Sequence, residues 1–127
     1  MPTETEKAII PVVSTNYPTS GSAVDINSVT MANGSSLIST STFFGNITYT
    51  RNLATTNWYL VSSPVVGQTY NDAYVTANGI DSGTGSNRGI APYVTGDDSW
   101  DYMQAGETTS FSTGTGYSVK RLSLIHI

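Results

Sequence analysis

Cysteine is absent from the 127 residues, which excludes disulfides, thiolate nucleophiles and cysteine-based metal sites. Histidine occurs once, at position 126, and a lone imidazole without partners serves neither as a base nor as a metal ligand. Charge is also scarce. Charged residues make up 11% and the net charge is −4, against roughly 25% charged in an average soluble domain. Arg51 and Arg88 stand alone, and Lys120 and Arg121 are only a pair, so no basic footprint for nucleic acid exists. No apolar run is long enough to cross a membrane as a helix. Met1–Lys7 is polar, and the apolar stretch Ala8–Val13 is short and broken by Pro11. It does not read as a signal peptide; a cytoplasmic protein or a missing true N-terminus explains that equally well.

What fills the gap is hydroxyl. The chain has 17 Ser and 19 Thr, with eight Tyr and 12 Gly beside them. Thr and Tyr suit a pleated, half-buried surface, and Gly, Asn and Asp supply turns. Few Glu, Lys, Leu and Ala remain to build long helices. The expected class is therefore all-β. A β-sandwich or jelly-roll-like module is expected, incomplete at its end, preceded by short hairpin or solenoid-like strands.

Along the chain, residues 1–23 are rich in Thr, Ser and Pro without a sustained period and read as a linker or leader. In residues 24–51, Val24, Ile26, Val29 and Met31 form an apolar set, and Asn33-Gly34 is a strong turn signal. Leu37-Ile38 and Phe43-Phe44 start further strands. Gly45-Asn46 punctuates before Ile47–Arg51, which alternates at period two. Such short strands suggest hairpins or the rungs of a β-solenoid. Residues 52–121 read as the sandwich-like module, with Trp58–Val61 its strongest core strand. Tyr70, Ala73, Tyr74 and Ala77 recur at helical spacing, predicting one short helix near 71–78. Thr69 or Asn71 is the candidate N-cap, Asp72 suits the first turn and Gly79 the C-terminal cap. Ile90–Val94 is a strand that Pro92 favours at an edge. Ser99–Met103 is another.

The candidate chemistry is thin. Asp97, Ser99 and Asp101 alternate, placing three oxygens on one side as a hard cation such as calcium prefers. Tyr102 and Thr108, however, occupy the positions where an EF-hand needs Gly and Glu. Glu107 adds a ligand only if its loop folds back. Asp72, Asp81, Asp98 and Asp101 show no spacing that fixes a glycosidase-type pair. Gly83–Gly89 lacks the Lys-Ser/Thr of a P-loop and precedes a strand. Ser86 has no nucleophile elbow. Asn33-Gly34-Ser35 and Asn46-Ile47-Thr48 match glycosylation sequons, as turn chemistry alone produces. No catalytic residue is assigned, and the chain reads as a non-enzyme with no cofactor beyond the possible calcium. Trp58, Tyr59, Tyr70, Tyr74, Tyr93, Trp100 and Tyr102 pair apolar bodies with polar tips suited to sugar rings. Alternation along a strand puts Trp100 and Tyr102 on one face, and these two are the candidate ligand-binding residues.

Three stretches carry a family resemblance: Gly45–Arg51 (GNITYTR), Trp58–Val65 (WYLVSSPV) and Gly114–Lys120 (GTGYSVK). In that order, with Gly34–Ile38 ahead and Trp100-Asp101-Tyr102 between, they resemble the region before the C-terminal modules of large surface and adhesin-like proteins of Bacteroidota. The resemblance implies export by the type IX secretion system, a location outside the cell and a non-catalytic structural or adhesion role. A carbohydrate-binding module, or an accessory segment of a secreted polysaccharide-degrading enzyme, is the alternative. Extracellular polysaccharide or cell-surface components would be the partners. Residues 122–127, Leu-Ser-Leu-Ile-His-Ile, resemble the translation of a sequencing-library adapter, so natural sequence is expected to end near Arg121.

Overall fold

The computed structural model describes residues 5–13 and 15–122. Among them are eleven strands and one short helix, so the chain is all-β, as its composition predicts. It divides into two compact units, with Asn52 closing the first and Leu53 opening the second. Apart from Leu122, the adapter-like ending lies outside the described residues, as do residues 1–4 and 14 of the stretch read as a leader.

The first unit coils without reversing. β1 (Lys7–Ile10), β3 (Val24–Met31) and β5 (Phe43–Tyr49) form one sheet in that order. β2 (Thr19–Ser20) and β4 (Ile38–Ser39) form a second. Every pairing is parallel. Lys7 lies opposite Ser28, Ser28 opposite Asn46, and Thr19 opposite Ile38, a repeat of about twenty residues such as solenoid rungs show. Of the two arrangements its turns allowed, the unit adopts the solenoid-like coil and not the hairpin. Asn33-Gly34 does turn the chain: the Ser35 N–H and hydroxyl both donate to the Ala32 carbonyl, at 2.9 and 2.8 Å. That turn leads to β4 in the other sheet instead of folding back on β3.

Two further expectations are corrected in this unit. Residues 7–10 and 19–20, within the stretch read as a linker or leader, are strands, because β3 and β4 offer them backbone partners and Ile10 a buried site. Pro11 lies just beyond β1 and so interrupts nothing. Gly45-Asn46 is no punctuation but the middle of β5. The register slips there, with Ile26 and Asn27 of β3 facing Gly45 of β5, the two-against-one pattern of a β-bulge. The bulge explains why buried Ile26 and Val29 lie three apart on a strand of period two. Together with Ile10 they form the unit's core, flanked by Ala8, Val24, Met31, Leu37 and Phe43.

In the second unit, β6 (Trp58–Ser62), β11 (Gly116–Lys120), β8 (Ile90–Val94) and β9 (Ser99–Trp100) form an antiparallel sheet in that spatial order. β7 (Thr69–Asn71) and β10 (Thr108–Ser110) make a two-stranded ribbon, and α1 (Asp72–Ala77) follows β7 directly. The core joins Tyr117, Val119 and Ile90 of the sheet to Tyr70 of the ribbon, Val75 of the helix, and Ile80, Met103 and Phe111. This two-sided, sandwich-like burial stabilises the unit: Ile90 is 0% exposed. Cutting such a side chain to Ala costs about 2–5 kcal/mol.

Helix α1 forms where its caps predict. Asn71 is the N-cap, its side-chain oxygen accepting from the Tyr74 N–H at 3.0 Å. Gly79 takes φ +60°. The Gly79 N–H donates to the Thr76 carbonyl and the Ile80 N–H to the Val75 carbonyl, the paired bonds of a Schellman ending. Pro92 is a correction: β8 is paired on both sides by β11 and β9, so it is not an edge. The Asp101 N–H donates to the Pro92 carbonyl at 3.0 Å, but proline has no N–H to return. Regular pairing on β9 therefore stops at Trp100, although the Met103 N–H still reaches the Ile90 carbonyl at 3.0 Å.

Candidate functional site: an aromatic sheet face

Strand register sorts the side chains of the second unit. Successive residues of a strand point to opposite faces, and directly paired residues share one. Val61, Tyr117, Val119 and Ile90 turn toward the core. The alternating set therefore turns away: Trp58 and Leu60 of β6, Ser118 and Lys120 of β11, Ala91 and Tyr93 of β8, and Trp100 of β9. Tyr102 joins this set through its ring, which meets that of Trp58 edge-on at 5.8 Å. Tyr93 and Trp100, direct cross-strand partners, meet edge-on at 5.1 Å.

The face is open. Trp58 is 46% exposed, Tyr93 39% and Leu60 70%. At its centre are two small residues, Ala91 fully buried and Ser118 nearly so. The Lys120 ammonium lies 5.9 Å from the Trp58 ring centroid and 2.8 Å from Asp81 Oδ2. That hydrogen bond, aided by the Gly83 N–H on Asp81 Oδ1, holds the Asp81 carboxyl below its usual range. The Tyr93 hydroxyl donates to Asp98, which raises the phenol above its usual value. Both contacts fix the rims of the face with polar groups.

Between the segment that follows β9 and strand β10 lies a groove of about 370 Å³, lined by Tyr70, Pro92, Asp101, Tyr102, Met103, Gln104, Glu107, Thr108 and Thr109. Tyr102 belongs to both the groove and the aromatic face. In the loop beyond β9, Glu107 Oε2 accepts from the Gln104 N–H at 2.7 Å, a contact within its own turn.

Of the residues singled out in the sequence, Trp100 and Tyr102 come to the same face. Asp101 lines the groove with Glu107, whereas Asp97 and Ser99 do not line it. Among the described residues, no three Asp, Glu, His or Cys side chains gather as a metal site requires. Asp72 is engaged elsewhere, by Arg88 Nε at 2.6 Å and the Gly106 N–H at 2.8 Å. Gly83–Gly89 is a structural loop. A Cβ on Gly83 would come within 2.1 Å of the Asn87 carbonyl oxygen, and one on Gly89 within 2.9 Å of Asp81. Tyr70 and Tyr74 serve the core. Trp58 and Tyr93 complete the face. Trp58 sits far from Trp100 in sequence, and only the β6-β11-β8-β9 order reveals that they share a surface. Searches against protein-family models, curated proteins and solved structures found no match.

Proposed function

We propose that this chain is a non-catalytic adhesion module of a secreted surface protein, and that its aromatic sheet face binds carbohydrate. The observation that carries the reading is the clustering of Trp58, Tyr93, Trp100 and Tyr102 on one open face. Large exposed apolar patches mark sites of interaction. This one is almost entirely aromatic, with Leu60 its single large aliphatic side chain. Flat rings with polar tips suit the C–H faces of pyranose rings better than they suit the aliphatic core of a protein interface. The scaffold places Trp58, Tyr93 and Trp100 on strands, which hold them more firmly than loops do. The surface location belongs to the same proposal and rests on the family resemblance. Release of this segment by protease from intact cells supports it, and protection contradicts it.

The test is a glycan array probed with the protein and with Trp58→Ala and Trp100→Ala. The protein is expected to retain a defined set of polysaccharides. Each substitution is expected to weaken binding at least about tenfold, a loss of about 1.4 kcal/mol. An array without any retained glycan contradicts the proposal, as do variants that bind like the parent.

A further inference from the structure

The four rings of the aromatic face form a row. Trp58 meets Tyr102 at 5.8 Å between ring centroids, and Trp100 meets Tyr93 at 5.1 Å. The segment from Trp100 to Tyr102 stays extended beside β8. The Asp101 N–H donates to the Pro92 carbonyl and the Met103 N–H to the Ile90 carbonyl, both at 3.0 Å. Trp100 and Tyr102 therefore share a side, their backbones about 7 Å apart, two steps of an extended chain. The order along the row is Trp58, Tyr102, Trp100, Tyr93. Its tryptophans stand on β6 and β9, the opposite edge strands of the sheet. The row thus crosses the sheet's whole width, three interstrand spacings or about 14 Å.

Length and openness decide what lies on it. A single sugar covers one aromatic ring at a time, so the row is matched only by several linked sugars. Sites that enclose one small molecule are concave, whereas these rings stand on an open sheet face, with Trp58 46% exposed and Tyr93 39%. Charge narrows the class. Among the described residues of that outward strand set, Lys120 is the one cation, and Asp81 neutralises it at 2.8 Å. Asp98 adds a second carboxylate at the opposite rim, beside Tyr93. The rims are net negative and repel uronic acids. We infer that the face takes the interior of a neutral, ribbon-like polysaccharide, one whose equatorial linkages keep successive sugars in a plane with their C–H faces against Trp58, Tyr102, Trp100 and Tyr93. This rests on the carbohydrate reading of the face and names the class of glycan.

The experiment is calorimetric titration with cello-oligosaccharides, equatorially linked glucose chains, from dimer to hexamer. Affinity is expected to rise at least about tenfold over that series, the gain of further stacked rings. Cellohexaose reduced to the alditol at its end should bind like the parent hexamer, because a chain end is not what is recognised. Maltohexaose, whose axial linkages coil the same glucose units, and polygalacturonate, an acidic chain, should bind at least about tenfold more weakly. Trp58→Ala and Trp100→Ala remove opposite ends of the row. Each should lower hexamer affinity while leaving the dimer nearly unchanged, since either half of the row holds a dimer. Thermal melts of each variant show that it is folded. A dimer bound as tightly as the hexamer overturns the inference, as does loss of binding on end reduction. Maltohexaose or polygalacturonate bound as tightly as cellohexaose overturns it too. So does retention of other glycans on the array with no binding of cellohexaose, and in all these cases the carbohydrate reading of the face stands. An array that retains no glycan overturns both.

Discussion

A single carboxylate shows how residue chemistry anchors the second unit. Asp72 opens helix α1 and accepts from Arg88 Nε at 2.6 Å and from the Gly106 N–H at 2.8 Å. Arg88 also donates to the Ser82 carbonyl at 3.0 Å. One side chain thus ties the helix to two loops. The Arg88 hydrogen bond is the main reason the Asp72 carboxyl is held below its usual range, with the Gly106 N–H second. Asp81 is held down in the same direction, chiefly by Lys120. A carboxyl depressed in the folded state takes up its proton first in the unfolded chain. The stability it contributes is present above about pH 4, the ordinary aspartate value, and is lost as pH falls through the depressed one. Thermal melts from neutral pH downward should therefore show a drop in Tm below about pH 4. Asp72→Asn should show a shallower drop, and equal drops in both proteins would refute the assignment. The helix caps Asn71 and Gly79 were legible in the sequence because capping is local. The Arg88 partnership was not, since nothing in a glycine-rich loop says which distant carboxylate its arginine will meet. Asn71→Ala should cost about 1 kcal/mol, the usual value of a lost N-cap, measured by denaturant unfolding.

At the level of elements, the most constrained position is Gly45. Its φ is +138°, and a Cβ there would lie 2.1 Å from the Ile26 carbonyl oxygen of the adjacent rung. Gly45→Ala combines backbone strain with overpacking and should cost about 3 kcal/mol. Hydrogen exchange in β3 and β5 should quicken while β8 and β11 keep their protection. Unchanged exchange in β3 would contradict the bulge. The sequence offered Gly45-Asn46 as a turn because Gly-Asn in isolation is turn chemistry. Its role in a bulge depends on the strand stacked beside it. The parallel coiling was hidden for the same reason: Asn33-Gly34 signals a change of direction and does not say which strand the chain pairs with next. Pro92 misled in the opposite sense, since an interior strand tolerates a proline where its missing N–H costs one ladder bond. Trp58–Val61 and Gly116–Lys120 were legible as strands because alternation and β-branched or aromatic content agree there.

Over the whole molecule, the two units hold cores of different size. Among the described residues, the core cluster of the first is Ile10, Ile26 and Val29, whereas that of the second gathers eight side chains from Tyr70 to Val119. The candidate site was half legible. Period-two alternation placed Trp100 with Tyr102, but Trp58 and Tyr93 joined them only through strand order, which no local pattern encodes. The acidic triplet looked like a cation site because its spacing is right in an extended chain. In the fold, Asp97 belongs to a turn while Asp101 lines the groove with Glu107. Both tryptophans of the chain, Trp58 and Trp100, lie on the aromatic face, so tryptophan emission, excited selectively, reports on that surface. Titrating the protein with glycans retained on the array, while following tryptophan emission, tests the central claim most directly. A saturable change in intensity or wavelength, halved or lost in Trp100→Ala, is the predicted result. Emission that stays constant while the glycan demonstrably binds would place the ligand elsewhere and contradict it.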